Sequence, residues 1–252
     1  MFVCHGNICR SPMAEFVMKD IVKKASASIY VTKDQLQKRY PSAPGTFTTY
    51  ASNVILKQEL IEPQPRITQI ATPKIVTLGM LSQMYKAPDV VIDALALLKN
   101  KGIPCTVTWV GDGKYKMEMI EYAKQKGVSD RISFIGLLPA GEAVRRKLYE
   151  HNLFILVSRT EGLPRALIEA MASGTYCIAT RVGGIPELLD DEWLIDANSP
   201  EQLAEAIEKS IDNPSLVTKQ VEQNLVTVRD YAEDKLKLRR ENFYNELKRI
   251  SV

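Results

Sequence analysis

The sequence predicts an α/β protein with a doubly wound parallel sheet and a helical C-terminal tail. From residue 74 to residue 180, short runs rich in β-branched residues alternate with stretches of helical periodicity. This alternation is typical of a parallel sheet covered by helices, with ligands bound at the carboxyl ends of its strands. After residue 195 the pattern is helical, and Ser199-Pro200-Glu201 is typical of a helix start with an N-cap, a proline and an acidic first turn.

The predicted elements follow one another at short intervals. Strands are predicted over residues 75–78, 106–110, 132–135, 153–157 and 176–180, and helices over residues 88–101, 115–126, 142–150 and 165–172. Ahead of them, residues 29–32 and 46–54 favour extended structure and residues 33–40 a short helix. Residues 55–73, with three prolines, indicate a connection between domains. The segment before residue 74 is too short to bury a core of its own, so we expect it to pack on the larger domain or to remain loosely ordered.

The composition excludes several classes of protein. The 252 residues are 45% hydrophobic and 25% charged, which excludes a disordered or fibrous chain. The formal net charge of +3 is too small, and the lysines and arginines are too evenly spread, to favour a nucleic-acid partner. The cysteines lack metal-ligand spacing, no signal-peptide pattern begins the sequence, and no apolar run is long enough to span a membrane. We therefore expect a cytoplasmic protein without a bound metal.

The segment after the predicted strand at residues 153–157 carries the strongest functional signal. In Glu161-Gly162-Leu163-Pro164-Arg165-Ala166-Leu167-Ile168-Glu169, two glutamates eight residues apart bracket a predicted helix start. Backbone N–H groups at a helix start bind anions, and proline suits the first helical turn. A carboxylate also accepts hydrogen bonds from sugar and ribose hydroxyls, each worth about 1.5–3 kcal/mol. The pattern therefore indicates a site for an anion next to a sugar.

Together with Gly183-Gly184-Ile185-Pro186-Glu187 after the next strand, this segment resembles the donor-binding signature of the family-4 retaining glycosyltransferases, which have the GT-B fold. The resemblance covers residues 74 to about 210 and includes Val110-Gly111-Asp112-Gly113. It implies that the chain is the Rossmann-like half of a GT-B fold. It also implies that this half binds a nucleoside-diphosphate sugar as substrate, needs no cofactor, and serves transfer to a glycan or a lipid-linked acceptor.

The same resemblance implies the roles of individual residues. Glu161 would contact the transferred sugar, and Glu169 would contact the ribose. Lys86, in a loop similar to the family's first loop, would neutralise the diphosphate. The helix start and the glycine-rich turns would bring backbone close to the diphosphate; these further donor-binding positions are Gly79, Gly111, Gly162, Leu163, Arg165, Gly183 and Gly184.

One position departs from the family pattern. Many members have an arginine directly after the first loop glycine, where this sequence has Met80. A second cation for the diphosphate would then have to come from elsewhere, and Arg159 and Arg165 are the candidates.

The first residues carry a second, unrelated signal. Cys4 and Arg10, separated by five residues and followed by Ser11-Pro12, resemble the phosphate loop of low-molecular-weight protein tyrosine phosphatases. Such a loop surrounds a phosphate with N–H groups and lowers the pKa of its cysteine. The resemblance ends near residue 25, and no Asp-Pro pair follows that would supply a general acid, a loss of about 10²–10⁴ in rate. We expect weak phosphate binding by Cys4, Arg10 and Ser11, without meaningful catalysis.

These resemblances divide the chain into a phosphatase-like fragment (residues 1–25), an acceptor-domain remnant with a linker (residues 26–73) and a donor-binding domain (residues 74–252). Three functions remain open: the donor half of a glycosyltransferase, incomplete for catalysis alone; a phosphatase-like protein; and a non-catalytic chimera. The extent of the resemblance favours the first. In the last helix an apolar stripe lies opposite a basic face, which favours packing on its own domain over peripheral contact with the inner face of a membrane.

Overall fold

The fold is seen in a computed structural model that describes residues 2–4 and 12–250, with side chains from residue 15 onward. Two parallel sheets are present within these residues, one of six strands and one of three. We call the elements around the six-stranded sheet the large lobe (residues 74–250) and those around the three-stranded sheet, with the residues that directly follow it, the small lobe (residues 2–4 and 12–54).

The large lobe confirms the predicted doubly wound α/β fold. Its strand order is β6-β5-β4-β7-β8-β9, and every pair is parallel. The chain runs outward from β4 to β6 and then returns to β7 on the other side of β4, so the topological switch point lies between β4 and β7. The strands are β4 (Lys74–Leu78), β5 (Thr106–Val110), β6 (Ile132–Phe134), β7 (Leu153–Leu156), β8 (Tyr176–Thr180) and β9 (Leu194–Ile195).

Helices cover the six-stranded sheet and bury its strands. All residues of β7 and β8 are buried, as expected for central strands of a parallel sheet with both faces covered. Helix α3 packs against α4 and α7, whereas α6 packs against α5 and α8. The helices are α3 (Pro88–Asn100), α4 (Lys116–Gln125), α5 (Glu142–Tyr149), α6 (Arg165–Ala172), α7 (Pro200–Asp212), α8 (Pro214–Val228) and α9 (Glu233–Ile250).

The last helix, α9, packs on the protein through its apolar stripe. Leu236 and Phe243 are fully buried, and the Phe243 ring stacks on Phe47 of the small lobe with centroids 6.1 Å apart. On the basic face, Arg239 pairs with Asp230 at 2.8 Å. The part of the apolar stripe that includes Leu236 and Phe243 is therefore occupied within the molecule, whereas Ile250 at its end is 45% exposed. In the part of the chain that the structure describes, no helix combines the length and the apolarity needed to cross a membrane.

The small lobe is a parallel β-α-β-α-β unit with the strand order β1-β2-β3. Met18, Val22 and Tyr30 belong to a small cluster of its own, whereas Ala27 and Ile29 belong to the core of the large lobe. Of the two expected outcomes, the structure shows packing on the larger domain, and the segment also has a small buried cluster that was not expected. Its elements are β1 (Phe2–Cys4), α1 (Pro12–Lys24), β2 (Ala27–Tyr30), α2 (Gln35–Arg39) and β3 (Phe47–Tyr50).

Polar contacts hold the two lobes together at both ends of their interface. The carboxylate of Glu187 in the large lobe accepts hydrogen bonds from three consecutive backbone N–H groups at the start of α2, at 2.6, 3.0 and 2.6 Å. At the other end, the hydroxyl of Tyr50 donates to Asp230 at 2.8 Å. Burial, together with this bond, raises the pKa of Tyr50 to about 12. Carboxylates of the large lobe therefore bind groups at the ends of α2 and β3.

The connection between the lobes is fixed to the large lobe by Arg66. Its guanidinium donates to four backbone carbonyl groups around the amino ends of β7 and β8, and to the hydroxyl of Thr175 at 2.9 Å. Burial lowers the pKa of Arg66 from its ordinary value. The connection is therefore held against the large lobe at the amino ends of β7 and β8.

Candidate functional site

A cavity lined by the predicted glutamates and Lys86 lies at the switch point between β4 and β7. Its volume is about 670 Å³, within the range of small-molecule sites. The loops that follow β4 and β7, together with the start of α6, supply most of its wall. The start of α5 with the loop before it, and two residues of the small lobe, complete it. The lining residues are Val31, Asn53, Leu78, Tyr85, Lys86, Ala140, Gly141, Val144, Glu161, Gly162, Leu163, Pro164, Arg165, Ala166 and Glu169.

Glu161 stands at the centre of this wall with its carboxylate buried. Its Oε1 atom accepts a hydrogen bond from the hydroxyl of Ser158 at 2.6 Å and is paired with the ammonium group of Lys86. The side chains of Glu161 and Lys86 are only 6% and 14% exposed. A buried carboxylate that is paired and hydrogen-bonded in this way is held in a fixed orientation. The pair therefore brings an acceptor and a cation into one pocket.

Glu169 lies on α6, on the same cavity wall as Glu161. Burial raises the pKa of the Glu169 carboxyl, and the nearby Arg165 opposes this shift. The sequence placed Pro164 in the first helical turn, but the helix begins at Arg165 and Pro164 occupies the N-cap position in an extended conformation. The backbone of this helix start still lines the cavity, so the predicted anion site and both glutamates face one space.

The predicted glycines lie where two backbone segments meet or where a side chain needs room. A Cβ on Gly79 would lie 2.9 Å from Cγ of Lys86, so the absent side chain makes space for the lysine. Gly111 has a φ of +150°, and a Cβ there would lie 2.0 Å from the carbonyl oxygen of Gly79. Gly184 donates its N–H to the carbonyl oxygen of Gly162 at 2.6 Å. These glycines thus build the floor under Lys86 and Glu161.

The structure distinguishes between the two arginines that are candidates for the second cation, which Met80 cannot supply. Arg159 is engaged: its guanidinium donates to both carboxylate oxygens of Asp89, at 3.1 and 2.6 Å, and to Asn198 at 2.6 Å. Arg165 is exposed and lines the cavity. Met80 is 44% exposed. Arg165 is therefore the better placed of the two arginines to meet an anion.

The residues of the predicted phosphate loop are described only at one end. The backbone of Cys4 ends β1, in register with Tyr30 of β2. Arg10 and Ser11 lie outside the described residues. Their roles stay predictions.

Sequence reasoning missed some contributors to this site. Ser158, which donates a hydrogen bond to Glu161, lies two residues after the carboxyl end of β7, and a polar residue near that end of a parallel strand is a signal that was available. Val31 and Asn53 reach the cavity from the small lobe. No local pattern marks them, because their position depends on how the lobes pack. Among the described residues, no three histidine, cysteine or acidic side chains form a group that could hold a metal ion.

Comparison with protein families finds two matches along the chain. The family described as "Glycosyl transferases group 1" matches residues 72–213, more than half of the chain. The family described as "Low molecular weight phosphotyrosine protein phosphatase" matches residues 1–33. The first match contains every donor-binding residue predicted above, including Lys86, Glu161 and Glu169.

Individual proteins extend the comparison beyond the matched segment. The chain is 30% identical over 246 residues to Protein CapJ of Staphylococcus aureus, an alignment that covers 97% of this chain and 61% of CapJ. Its fold is similar to that of TarM from Staphylococcus aureus (TM-score 0.78, 18% identity, 97% of this chain and 50% of TarM). It is also similar to that of HepE from Anabaena (TM-score 0.76, 17% identity, 98% of this chain and 71% of HepE).

These similarities differ in what they establish. The two structural similarities are below 25% identity and establish the fold alone. The chain spans about three fifths of the length of CapJ. The family match rests on the sequence itself, over the segment that holds the cavity and its charged residues. The chain therefore belongs to the group 1 glycosyl transferases.

Proposed function

We propose that the cavity binds a nucleoside-diphosphate sugar and that the large lobe serves as the donor half of a retaining glycosyltransferase. One observation carries the proposal: Lys86, the start of α6 and the two carboxylates of Glu161 and Glu169 line one space of about 670 Å³. A diphosphate needs a cation and N–H donors, whereas a ribose and a hexose need acceptors for their hydroxyls. The cavity supplies all three kinds of group.

In this proposal, each part of the ligand contacts a different set of residues in the cavity. The diphosphate lies against the helix start at Gly162 to Arg165, with Lys86 and Arg165 as its cations. The ribose hydroxyls donate to Glu169, and the sugar hydroxyls donate to Glu161. Because both protein donors of Glu161 use Oε1, its Oε2 atom is the one that a sugar hydroxyl approaches.

The same groups favour departure of the nucleoside diphosphate. Negative charge grows on the leaving phosphate as its bond to the sugar breaks, and the cations and N–H groups that line the cavity stabilise that charge. The acceptor, a glycan or a lipid-linked sugar in our proposal, has to approach from the side of the small lobe. That lobe contributes Val31 and Asn53 to the cavity. With three described strands it offers a small wall, so we expect donor binding to be stronger than transfer.

The ligands in solved structures of a similar protein are consistent with this donor class. HepE has been solved in complex with UDP and with UDP-glucose. We therefore propose a uridine diphosphate sugar as the first ligand to test, ahead of guanosine and adenosine diphosphate sugars. Peripheral contact with a membrane, in this proposal, would use the exposed positions of α9, which include basic residues and Leu238, Tyr244 and Ile250, because Leu236 and Phe243 are buried.

Calorimetric titration of the whole chain with UDP and with UDP-glucose tests the proposal. Glu169→Ala is expected to weaken both ligands by about 1–3 kcal/mol, because both carry the ribose. Glu161→Ala is expected to weaken only UDP-glucose, by a similar amount. Glu121→Ala, which removes a carboxylate from a surface pair with Lys124, serves as the control. Absence of binding of any uridine, guanosine or adenosine diphosphate sugar at millimolar concentration would rule out the proposed function.

A further inference from the structure

Arg159 joins three segments around the candidate site without lining the cavity itself. Its guanidinium donates to the carbonyl oxygen of Met84, to the carboxylate of Asp89 and to the side chain of Asn198. Its backbone N–H donates to the carbonyl oxygen of Tyr85 at 2.7 Å. Met84 and Tyr85 directly precede Lys86 in the sequence, and Asp89 is in the first turn of α3 just after it. Arg159 thus holds the turn that carries Lys86 from both sides.

That turn has a backbone conformation that needs support. In the part of the chain that the structure describes, two residues other than glycine have a positive φ: Ala87 at 51° and Asn198 at 62°. Ala87 directly follows Lys86, and Asn198 accepts a hydrogen bond from Arg159 at 2.6 Å. A left-handed conformation costs an alanine about 1–2 kcal/mol, so it persists only where surrounding contacts hold it. Contacts of Arg159 lie next to both residues.

We propose that Arg159 is a positioning residue that, together with Asp89, holds Lys86 toward the diphosphate and toward Glu161. This inference rests on the proposed function for the ligand, but the clamp itself is a property of the free protein. Arg159 is three residues after the end of β7 and two before Glu161, so one short loop carries both the clamp and the carboxylate that Lys86 meets. Movement of the Lys86 turn would separate this pair.

The chemistry of the clamp requires arginine. A guanidinium has five N–H donors in a fixed plane, and here three of its nitrogens reach a carbonyl, a carboxylate and an amide oxygen on three separate segments. A lysine in its place could keep the ion pair with Asp89 but not all of these contacts. Arg159→Lys is therefore expected to be intermediate between the wild type and Arg159→Leu.

Binding of UDP by calorimetry gives the first readout, in the wild type, Arg159→Leu, Lys86→Met and the double variant. If the competent position of the turn falls to about a tenth of the population, the apparent Kd of Arg159→Leu rises about tenfold. In the Lys86→Met background, Arg159→Leu is expected to change the Kd little further, because it acts through Lys86. Equal fold-changes in both backgrounds, or no change in the wild-type background, would overturn the proposal.

Arg131→Leu is the matched control. Arg131 also donates its guanidinium to a backbone carbonyl, that of Ile103, at 2.6 Å, but it lies at the amino end of β6. Its loss removes a comparable contact away from the cavity. We expect the UDP affinity of this variant to equal that of the wild type, whereas a tenfold loss would mean that general destabilisation explains the Arg159 result and would overturn the proposal.

Hydrogen exchange of the ligand-free proteins separates the clamp from the ligand. Peptides covering residues 79–90 are expected to exchange faster in Arg159→Leu than in the wild type and in Arg131→Leu. If the wild type binds no UDP, the proposed function fails, and the exchange data alone then decide about the clamp. Unchanged exchange in residues 79–90 overturns the positioning role, and faster exchange confined to this segment supports it.

Discussion

Gly183 and Glu161 meet backbone to backbone: a Cβ on Gly183 would lie 2.0 Å from the carbonyl oxygen of Glu161. The turn after β8 therefore presses directly against the loop after β7. The side chain of Glu161 points the other way, to Lys86 and Ser158. The position of the carboxylate in the cavity thus depends on a glycine more than twenty residues further along the chain.

Gly183→Ala is expected to destabilise the protein by about 2–4 kcal/mol, from left-handed strain together with a backbone clash. Its φ is +56°, which an alanine adopts only at a cost. Gly127→Ala is the matched control, because Gly127 has a φ of +68° and nothing lies within 4 Å of its Cβ position. Urea unfolding of both variants measures the two costs. Equal losses would show that the contact with Glu161 contributes nothing.

The affinity for UDP-glucose is expected to fall on acidification at a pH above the ordinary range of a glutamate. Burial raises the pKa of Glu169, opposed by Arg165, and the ionised form is the one that accepts ribose hydroxyls. Affinity therefore increases as pH rises through this raised pKa and is lost below it. Calorimetry across this range measures the effect. Glu169→Gln should bind more weakly and without this pH dependence, and an unchanged profile in that variant would assign the titration to another group.

The raised pKa of Glu169 has the opposite effect on the stability of the folded protein. A carboxyl group that holds its proton more tightly in the folded state contributes stability below its unfolded pKa, and this contribution is lost as pH rises through the folded value. Ligand binding and folding thus make opposite demands on Glu169. Glu169→Gln is accordingly expected to stabilise the ligand-free protein at neutral pH, which urea unfolding measures; a loss of stability there would contradict it.

Glu187→Ala is expected to loosen the small lobe. The carboxylate caps the start of α2 with three hydrogen bonds from Lys33, Asp34 and Gln35. Loss of a helix cap costs about 0.5–2 kcal/mol. Hydrogen exchange of residues 33–40 should increase in this variant. Glu192→Ala removes only a surface pair with Lys219 and is expected to leave these amides unchanged. Unchanged exchange in Glu187→Ala would mean that other contacts hold α2.

The chain is expected to lack meaningful phosphatase activity toward an aryl phosphate. The sequence contains no Asp-Pro pair, so the general acid expected of the phosphatase family has no counterpart. Its absence costs about 10²–10⁴ in rate. Release of the phenol in the wild type and in Cys4→Ser tests this expectation. Turnover that disappears in Cys4→Ser would contradict it and would make the first residues a second catalytic site.

The elements of the large lobe were predicted well because each strand and helix has its own local sequence pattern. Periodicity located strands such as Thr106–Val110 and Tyr176–Thr180 at their observed bounds, and the strand-helix rhythm predicted the parallel sheet. The prediction that Lys86, Glu161 and Glu169 share one space also agrees with the structure, because loops at the carboxyl ends of neighbouring parallel strands must meet.

The contacts between lobes were not predicted, because they depend on packing between distant segments. The cap that Glu187 provides to α2 joins residues more than 150 positions apart. Arg159 likewise binds residues that are distant in the sequence, Asp89 and Asn198. Because Arg159 is held by them, Arg165 is the better candidate to bind an anion. A single sequence has no period or spacing that records such pairs.

The close backbone contacts of the glycines also bear on how such proteins diverge. Where Gly111 meets Gly79 and where Gly183 meets Glu161, the contacts are made by main-chain atoms. Main-chain atoms are the same for every amino acid, so the surrounding side chains can change without altering these contacts. Only the glycines themselves are restricted. An architecture of this type can keep its loops in place while the residues that select the sugar and the acceptor are replaced over evolutionary time.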